Sequence, residues 1–265
     1  MKVSILASGS NGNSTLIETI NDSFLIDNGI SFKNLYSRIC ECQSDIHRVS
    51  SIFLTHEHID HVAGVKVLLK RIPLKCFLSK GTYDGLNVDT RNQVDLNGFT
   101  LIKNGDEILL NDCKITVLKT HHDAREPLGY VIEEQNKKVV YITDTGYVDQ
   151  SYFPLLKNAD MYIMESNYDV ELLWSSSRPF ELKKRIDGDY GHMSNVASAV
   201  LLSKLIGTKT KKVVFAHISD DCNYYGMPSL ILNEHKKIYE EMNVDFSNIE
   251  FYFGDRFKVT GVFEI

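Results

Sequence analysis

Residues 55–61 read Thr-His-Glu-His-Ile-Asp-His, which puts His56, His58, Asp60 and His61 within six positions. Imidazole and carboxylate groups packed this densely have few uses other than metal. Without a cation among them they carry desolvation and charge penalties. The spacing has its own geometry. In an extended segment His56 and His58 point the same way at period two. Asp60 and His61 then fall past a turn and address a second point, so the pattern suits two metals better than one. The flanks place the cluster. Ser51-Ile52-Phe53-Leu54 reads as a short buried strand, and residues 62–71, with Val62, Val65, Leu68 and Leu69 at helical spacing, read as an amphipathic helix. The donors therefore sit on a loop after the C-terminal end of a strand, a common address for active sites in α/β proteins.

Two metals need more ligands than one loop supplies. Three further segments carry histidine or aspartate just after a strand-like run: Thr120-His121-His122-Asp123-Ala124 after 113–119, Asp144 at the end of 138–143, and His217 after 212–216. Taken singly, each has a plain reading as a surface loop, a turn residue or a core histidine. Together with residues 55–61 they read as the rest of a ligand set. The register of the strand before His121 and His122 does not choose between them.

Other strand-like runs fall at 2–7, 14–18, 23–27, 76–79, 100–102, 129–134, 161–165 and 249–253. Helix-like runs fall at 31–42, 152–158, 195–206 and 228–242. Many strands interrupted by few helices predict an α/β sandwich, with helices covering the outer faces of two packed sheets. Ser194 is placed to cap the helix 195–206. That sets Gly191-His192-Met193-Ser194 at a helix start, where backbone N–H groups can bind an anion. His192 is thereby a candidate for contacting a phosphate or protonating a leaving group. Ser10, Asn11 and Asn13, in the turn 8–14, are candidates for aiming polar groups at a substrate phosphate.

The chain of 265 residues is 43% hydrophobic and 24% charged, ordinary for a globular domain, and no Pro/Gly/Ser linker divides it. A single domain over 1–265 is expected. A net charge of −6 argues against a surface coated for nucleic acid, but it leaves room for a local basic track such as Lys183-Lys184-Arg185. No apolar run approaches the roughly 18 residues of a membrane span, and no signal peptide is visible. A cytoplasmic protein without a membrane partner is expected. The five cysteines form no disulfide framework.

At this point the chain resembles the metallo-β-lactamase superfamily. His56-Glu57-His58-Ile59-Asp60-His61 matches its H-x-H-x-D-H signature, and the later His, Asp and His follow in its order. Asp27 in Leu25-Ile26-Asp27-Asn28-Gly29 looks like its early strand-end aspartate, which supports a ligand histidine. The resemblance narrows to the YycJ/WalJ group of small bacterial metallohydrolases. It does so through residues 6–14, through His122-Asp123-Ala124-Arg125-Glu126-Pro127-Leu128-Gly129-Tyr130, and through Glu165-Ser166-Asn167, residues 182–186 and residues 191–195.

This resemblance implies a four-layered αββα sandwich. It also implies that His122, not His121, is a ligand. His56, His58 and His122 would hold one metal, Asp60, His61 and His217 the other, and Asp144 would bridge them. The metals would be manganese or zinc, with iron also compatible, and a hydroxide shared between them would be the nucleophile. Asn167, Lys184 and Arg185 become substrate-contact candidates, with Asp60 and His192 in catalytic roles. The implied activity is a phosphodiesterase, specifically a 5′-to-3′ exonuclease acting on DNA. Two alternatives use the same residues: a hydrolase of a small thioester, lactone or cyclic phosphodiester, and a metal-binding module without turnover. Three positions depart from the group's pattern: Tyr168 stands where histidine is usual, and Asp221 and Cys222 where glutamate and asparagine are usual.

Overall fold

The computed structural model describes residues 1–224 and 226–265. In chain order its elements begin with β1 (Lys2–Ala7), β2 (Ser14–Glu18), β3 (Ser23–Ile26), α1 (Phe32–Glu41), β4 (Ser51–Phe53), α2 (Ile59–Val62), α3 (Val65–Arg71) and β5 (Lys75–Leu78). Next come α4 (Lys80–Gly85), α5 (Val88–Asn97), β6 (Phe99–Leu101), β7 (Glu107–Leu110), β8 (Cys113–Lys119), β9 (Leu128–Glu134) and β10 (Lys137–Ile142). The chain continues with α6 (Phe153–Leu156), β11 (Met161–Glu165), α7 (Val170–Ser175), α8 (Phe180–Ile186) and α9 (Asn195–Leu205). It closes with β12 (Lys212–Ala216), α10 (Pro228–Glu241), β13 (Glu250–Phe253) and β14 (Gly261–Glu264). Contacts divide these into two compact units. The first is Met1–Lys119 with Ala124–Lys137 and Gly254–Ile265, the second Thr120–Asp123 with Lys138–Phe253.

In the first unit a seven-stranded sheet runs β14-β1-β2-β3-β4-β5-β6. Its β1 to β3 are antiparallel, and β3 to β6 are parallel. Alternation sorts its side chains. Leu16, Leu25, Ile52, Cys76 and Leu78 bury against Leu35 and Ile39 of α1, Val65 and Leu68 of α3, and Val94 of α5. The opposite face carries Phe24, Phe53 and Phe77, with Phe53 and Phe77 stacked at 4.4 Å. That face meets the antiparallel β7-β8-β9 ribbon. Phe53 sits edge-on to Tyr130 at 5.7 Å, and the Tyr130 hydroxyl donates to the Leu54 carbonyl at 2.7 Å. Each such fully buried aromatic contributes about 1.5–3 kcal/mol. Helices, sheet and second sheet are thus layered within this unit, as an α/β sandwich requires.

The second unit is built on β10-β11-β12-β13, all parallel. Its inner strands read as near-continuous buried runs, as expected where both faces are covered. Parallel strands put all their C-terminal ends at one edge. Asp144, Glu165 and His217, 74 residues from first to last, are gathered there by topology.

One expected helix differs. Residues 62–71 form the tail of α2, a break, and α3. The break is at Gly64, where a Cβ would fall 1.9 Å from the Ile30 carbonyl oxygen. The backbone must come too close to its neighbour for a continuous helix with side chains.

Candidate functional site

The loop after β4 is held by its neighbours in the first unit. At the end of β3, Asp27 adopts a left-handed φ of 58° and turns the chain into Asn28-Gly29. Gly29 lies directly against the loop, since a Cβ there would fall 1.6 Å from the Asp60 carbonyl oxygen. Backbone N–H groups of Asn13 and Asn28 donate to the carbonyls of Asp60 and His61 at 2.8 and 2.9 Å. The carboxylate of Asp27, fully buried, accepts from the Thr55 N–H at 2.8 Å, the Thr55 hydroxyl at 2.7 Å and His61 Nδ1 at 2.7 Å. Burial pushes the Asp27 carboxyl up, against the pull of His61 and Thr55.

With Nδ1 of His61 donating, its Nε2 carries the lone pair, and it accepts from Asn13 Nδ2 at 3.1 Å. The same amide donates to Asp60 Oδ2 at 3.2 Å. Asn13 is buried and acts here on two candidate ligands, whereas Ser10 and Asn11 are exposed. The His56 ring lies 4.1 Å from that of His61 and 4.6 Å from that of His58. Glu57, between these histidines, turns its carboxylate to the N–H of Arg125 at 2.9 Å.

The second unit assembles its donors from strand ends. Asp144 after β10 and His217 after β12 adopt left-handed φ values of 54° and 53°. Such backbone is uncommon outside glycine and asparagine and recurs at functional sites. His217 Nδ1 lies 3.3 Å from Asp144 Oδ1 and 3.1 Å from Glu165 Oε1. Asn167, also buried, donates to the His217 carbonyl at 2.6 Å. The two adjacent histidines part ways. His122 Nδ1 donates to the Gly191 carbonyl at 2.9 Å, so its Nε2 carries the lone pair, 3.8 Å from Asp144 Oδ1. Burial pushes the His122 imidazole below its usual range, against the pull of Asp144, and so keeps it neutral. His121 instead pairs with Asp149 at 3.2 Å and stacks on Tyr147 at 3.9 Å.

Glu165 is the residue that sequence reasoning left without a role. It is fully buried and accepts from His192 Nδ1 at 2.7 Å, from the Thr145 N–H at 2.8 Å and from the Met193 N–H at 3.3 Å. Burial raises its pKa, but His192, His217 and the hydrogen bonds outweigh that, so the carboxyl stays below its usual range. Glu165 ends an apolar strand, as Asp144 and His217 follow theirs, but a search for histidine or aspartate after a strand passes over a glutamate within one.

Asp144, Glu165, His192 and His217 each offer one donor atom, all within 4.8 Å of one another. Buried imidazoles and carboxylates in this proportion fit a divalent cation of borderline hardness. Lys184 and Arg185 lie exposed on α8, and Arg185 pairs with Asp123 beside His122. The three departures are structurally linked in part. Tyr168 and Cys222 pack together with Leu173 and Ile186, the Tyr168 hydroxyl donates to Asp187 at 2.5 Å, and Asp221 pairs with Arg178 at 3.1 Å.

A family model described as the beta-lactamase superfamily domain matches residues 22–218. The chain belongs to the β-lactamase superfamily. It is 36% identical over 223 residues to exodeoxyribonuclease WalJ of Streptococcus pneumoniae, covering 84% of this chain and 83% of that one. It is 34% identical over 220 residues to exodeoxyribonuclease YycJ of Bacillus anthracis, covering 83% of each.

Among solved structures, the metallo-β-lactamase fold protein YhfI from Bacillus subtilis superposes with a TM-score of 0.71 at 17% identity, over 100% of this chain and 99% of that one. Zn(2+)-bound PqqB from Methylobacterium extorquens superposes with a TM-score of 0.69 at 14% identity, over all of both chains. The fold is therefore that of the metallo-β-lactamases and the chain is a hydrolase, as its H-x-H-x-D-H motif predicts. Divalent metal ions are the cofactors this fold implies. Among the described residues, no helix is long and apolar enough to cross a membrane.

Proposed function

We propose that this hydrolase is a two-metal exonuclease acting on DNA. The observation that carries the reading is the 34–36% identity, over more than four fifths of the chain, to two exodeoxyribonucleases. The donor chemistry supports it. His56, His58, Asp60 and His61 from the first unit and His122, Asp144 and His217 from the second are the residues that would hold the two cations. Divalent cations held there would supply charge neutralisation to a phosphodiester and activation of water.

The chain's own residues do the rest. Asp27 and the Gly191 carbonyl fix the tautomers of His61 and His122 so that Nε2 carries the lone pair in each. Asn13 orients Asp60. His192, held at Nδ1 by Glu165 and only half-buried, is the group that, as an imidazolium whose charge the Glu165 carboxylate balances, gives its Nε2 proton to the leaving oxygen and is left neutral with Nδ1–H still on Glu165. With a net charge of −6, backbone contact falls to local cations, for which Lys184 and Arg185 on α8 are placed.

The test is hydrolysis of end-labelled single- and double-stranded DNA and RNA by the manganese- or zinc-loaded protein, with Asp60→Ala as control. Stepwise loss from one end of DNA, absent in the variant, is expected and gives the polarity. A protein that binds two metals yet cleaves no nucleic acid would transfer the assignment to small thioester, lactone or cyclic phosphodiester substrates.

A further inference from the structure

The second unit holds a cavity of about 660 Å³ that the proposed chemistry does not use. One wall is a face of α9. Ala197, Val200, Leu201 and Lys204 recur at helical spacing and line it, with Met193 just before the helix. The opposite wall is the segment from Gly146 to Ser151 with Phe153. Both walls run directly out of the donor cluster, because Gly146 follows Asp144 by two residues and Met193 follows His192 by one.

Aromatic rings gather at the same place. Tyr147 lines the cavity and is 40% exposed, with its ring stacked on His121 at an interplanar angle of 14°. Tyr190, 60% exposed, stands edge-on to His121 at 6.1 Å. The loop bearing Tyr190 is pressed against the Tyr147 loop. A Cβ at Gly146 would fall 2.3 Å from the Asp189 carbonyl oxygen. His121, Tyr147 and Tyr190 thus each flank a candidate site residue in sequence and converge in space.

We infer that this cavity is the subsite for the base of the terminal nucleotide, with Tyr147 as its stacking platform. The inference rests on the nuclease reading. Its size lies within the roughly 300–1,000 Å³ usual for small-ligand sites. A flat aromatic face and an aliphatic helix wall recognise the π-face and edge of any base without selecting among bases, which suits an enzyme that degrades a strand residue by residue. Lys204, exposed at the end of the helix wall, supplies a cation for the nucleotide's phosphate.

The test is direct binding to the metal-loaded full chain by calorimetry. The probes are dAMP, dTMP and the base-free deoxyribose 5-phosphate. Both nucleotides should bind at least about tenfold more tightly than the base-free probe, since one base–aromatic stack contributes about 1–3 kcal/mol. Ala197→Trp, which fills the cavity, and Tyr147→Ala, which removes the platform, should each abolish that preference while metal content stays unchanged. Nucleotides that bind no better than deoxyribose 5-phosphate, or a preference that survives both substitutions, would overturn the inference. Hydrolysis of end-labelled DNA is scored separately. Base preference without DNA hydrolysis would sustain the cavity and sink the nuclease reading, and hydrolysis without base preference would do the reverse.

Discussion

The two units present donors of the same kind by opposite routes. In the first, His56, His58, Asp60 and His61 come from one loop, shaped by the turns at residues 13 and 27–29 that press against it. In the second, His122, Asp144, His192 and His217 are spread over 96 positions: Asp144 and His217 meet because parallel strands end at a common edge, and loops bring His122 and His192 to them. Each places one buried carboxylate behind its imidazoles, Asp27 in the first unit and Glu165 in the second. The outcomes differ. Asp27 faces one imidazole, and burial wins, so its carboxyl is pushed up. Glu165 faces two, and despite burial its carboxyl is pulled down. Both carboxylates are fully buried, so the number of imidazoles each one serves accounts for the opposite directions.

Substitutions can break or sharpen this contrast. The largest effect is expected for Asp60→Ala, the loop donor that Asn13 orients. Loss of several kcal/mol of transition-state stabilisation corresponds to a fall in DNA hydrolysis of about 10³-fold, read from initial rates with metal in excess.

The next prediction separates the units by acid sensitivity. His235, on α10 in the second unit, is almost wholly buried. That burial pushes its pKa down to about 4, with Nδ1 donating to the Ile231 carbonyl at 3.0 Å. A base whose folded pKa is depressed stays neutral in the fold while the unfolded chain takes up a proton. Its contribution is fully present above about 6.5 and is lost as pH falls from there toward about 4. Over that window the loss is on the order of 3 kcal/mol. His235→Phe should flatten the pH dependence of the denaturant midpoint between pH 7 and 4.5. An unchanged slope would assign the acid sensitivity elsewhere.

Asp27→Asn and Glu165→Gln test the paired carboxylates directly. Residues behind metal ligands typically control about 10–100-fold in metal affinity. Glu165→Gln should lie at the upper end because it releases two imidazoles, and Asp27→Asn at the lower. Competitive metal titration with a chelator checks the order, and equal losses would remove the distinction drawn above.

The smallest effect concerns caps. Ser194 accepts from the Ala197 N–H at 3.2 Å and starts α9 beside His192, while Ser31 accepts from the Asn34 N–H at 3.3 Å and starts α1. Either serine changed to alanine should cost about 1 kcal/mol in chemical denaturation. Only Ser194→Ala should also lower activity.

The contrast between units also governs how much was legible beforehand. The loop of residues 55–61 was readable because its donors are local, and Asp144 and His217 were readable because each ends an apolar run. Glu165 ends one too, but a lone glutamate in a strand has no distinctive signature until the histidines it serves are folded onto it. In the sequence, Asn13 and Asn167 read as substrate-contact candidates. Their burial and their bonds to Asp60, His61 and His217 emerge only in three dimensions.

Among the elements not anticipated, with β7, β14, α4, α7 and α8, is α5. Its capping Asn87, with Oδ1 accepting from the Thr90 N–H at 2.9 Å, and its buried face of Thr90, Gln93 and Val94 show why: that face is mostly polar. Tertiary burial, rather than an apolar stripe, holds that helix.

By itself, the sequence determined most of the strands, β7 and β14 excepted, the metal-seeking loop and the family, because these depend on periodicity and on residues close together in the chain. The tertiary structure decided which of His121 and His122 faces Asp144, which carboxylates stand behind the imidazoles, and where a cavity opens beside them. Those outcomes depend on groups far apart in sequence. Their positions and charge states follow from burial and from partners that only folding brings within hydrogen-bond distance.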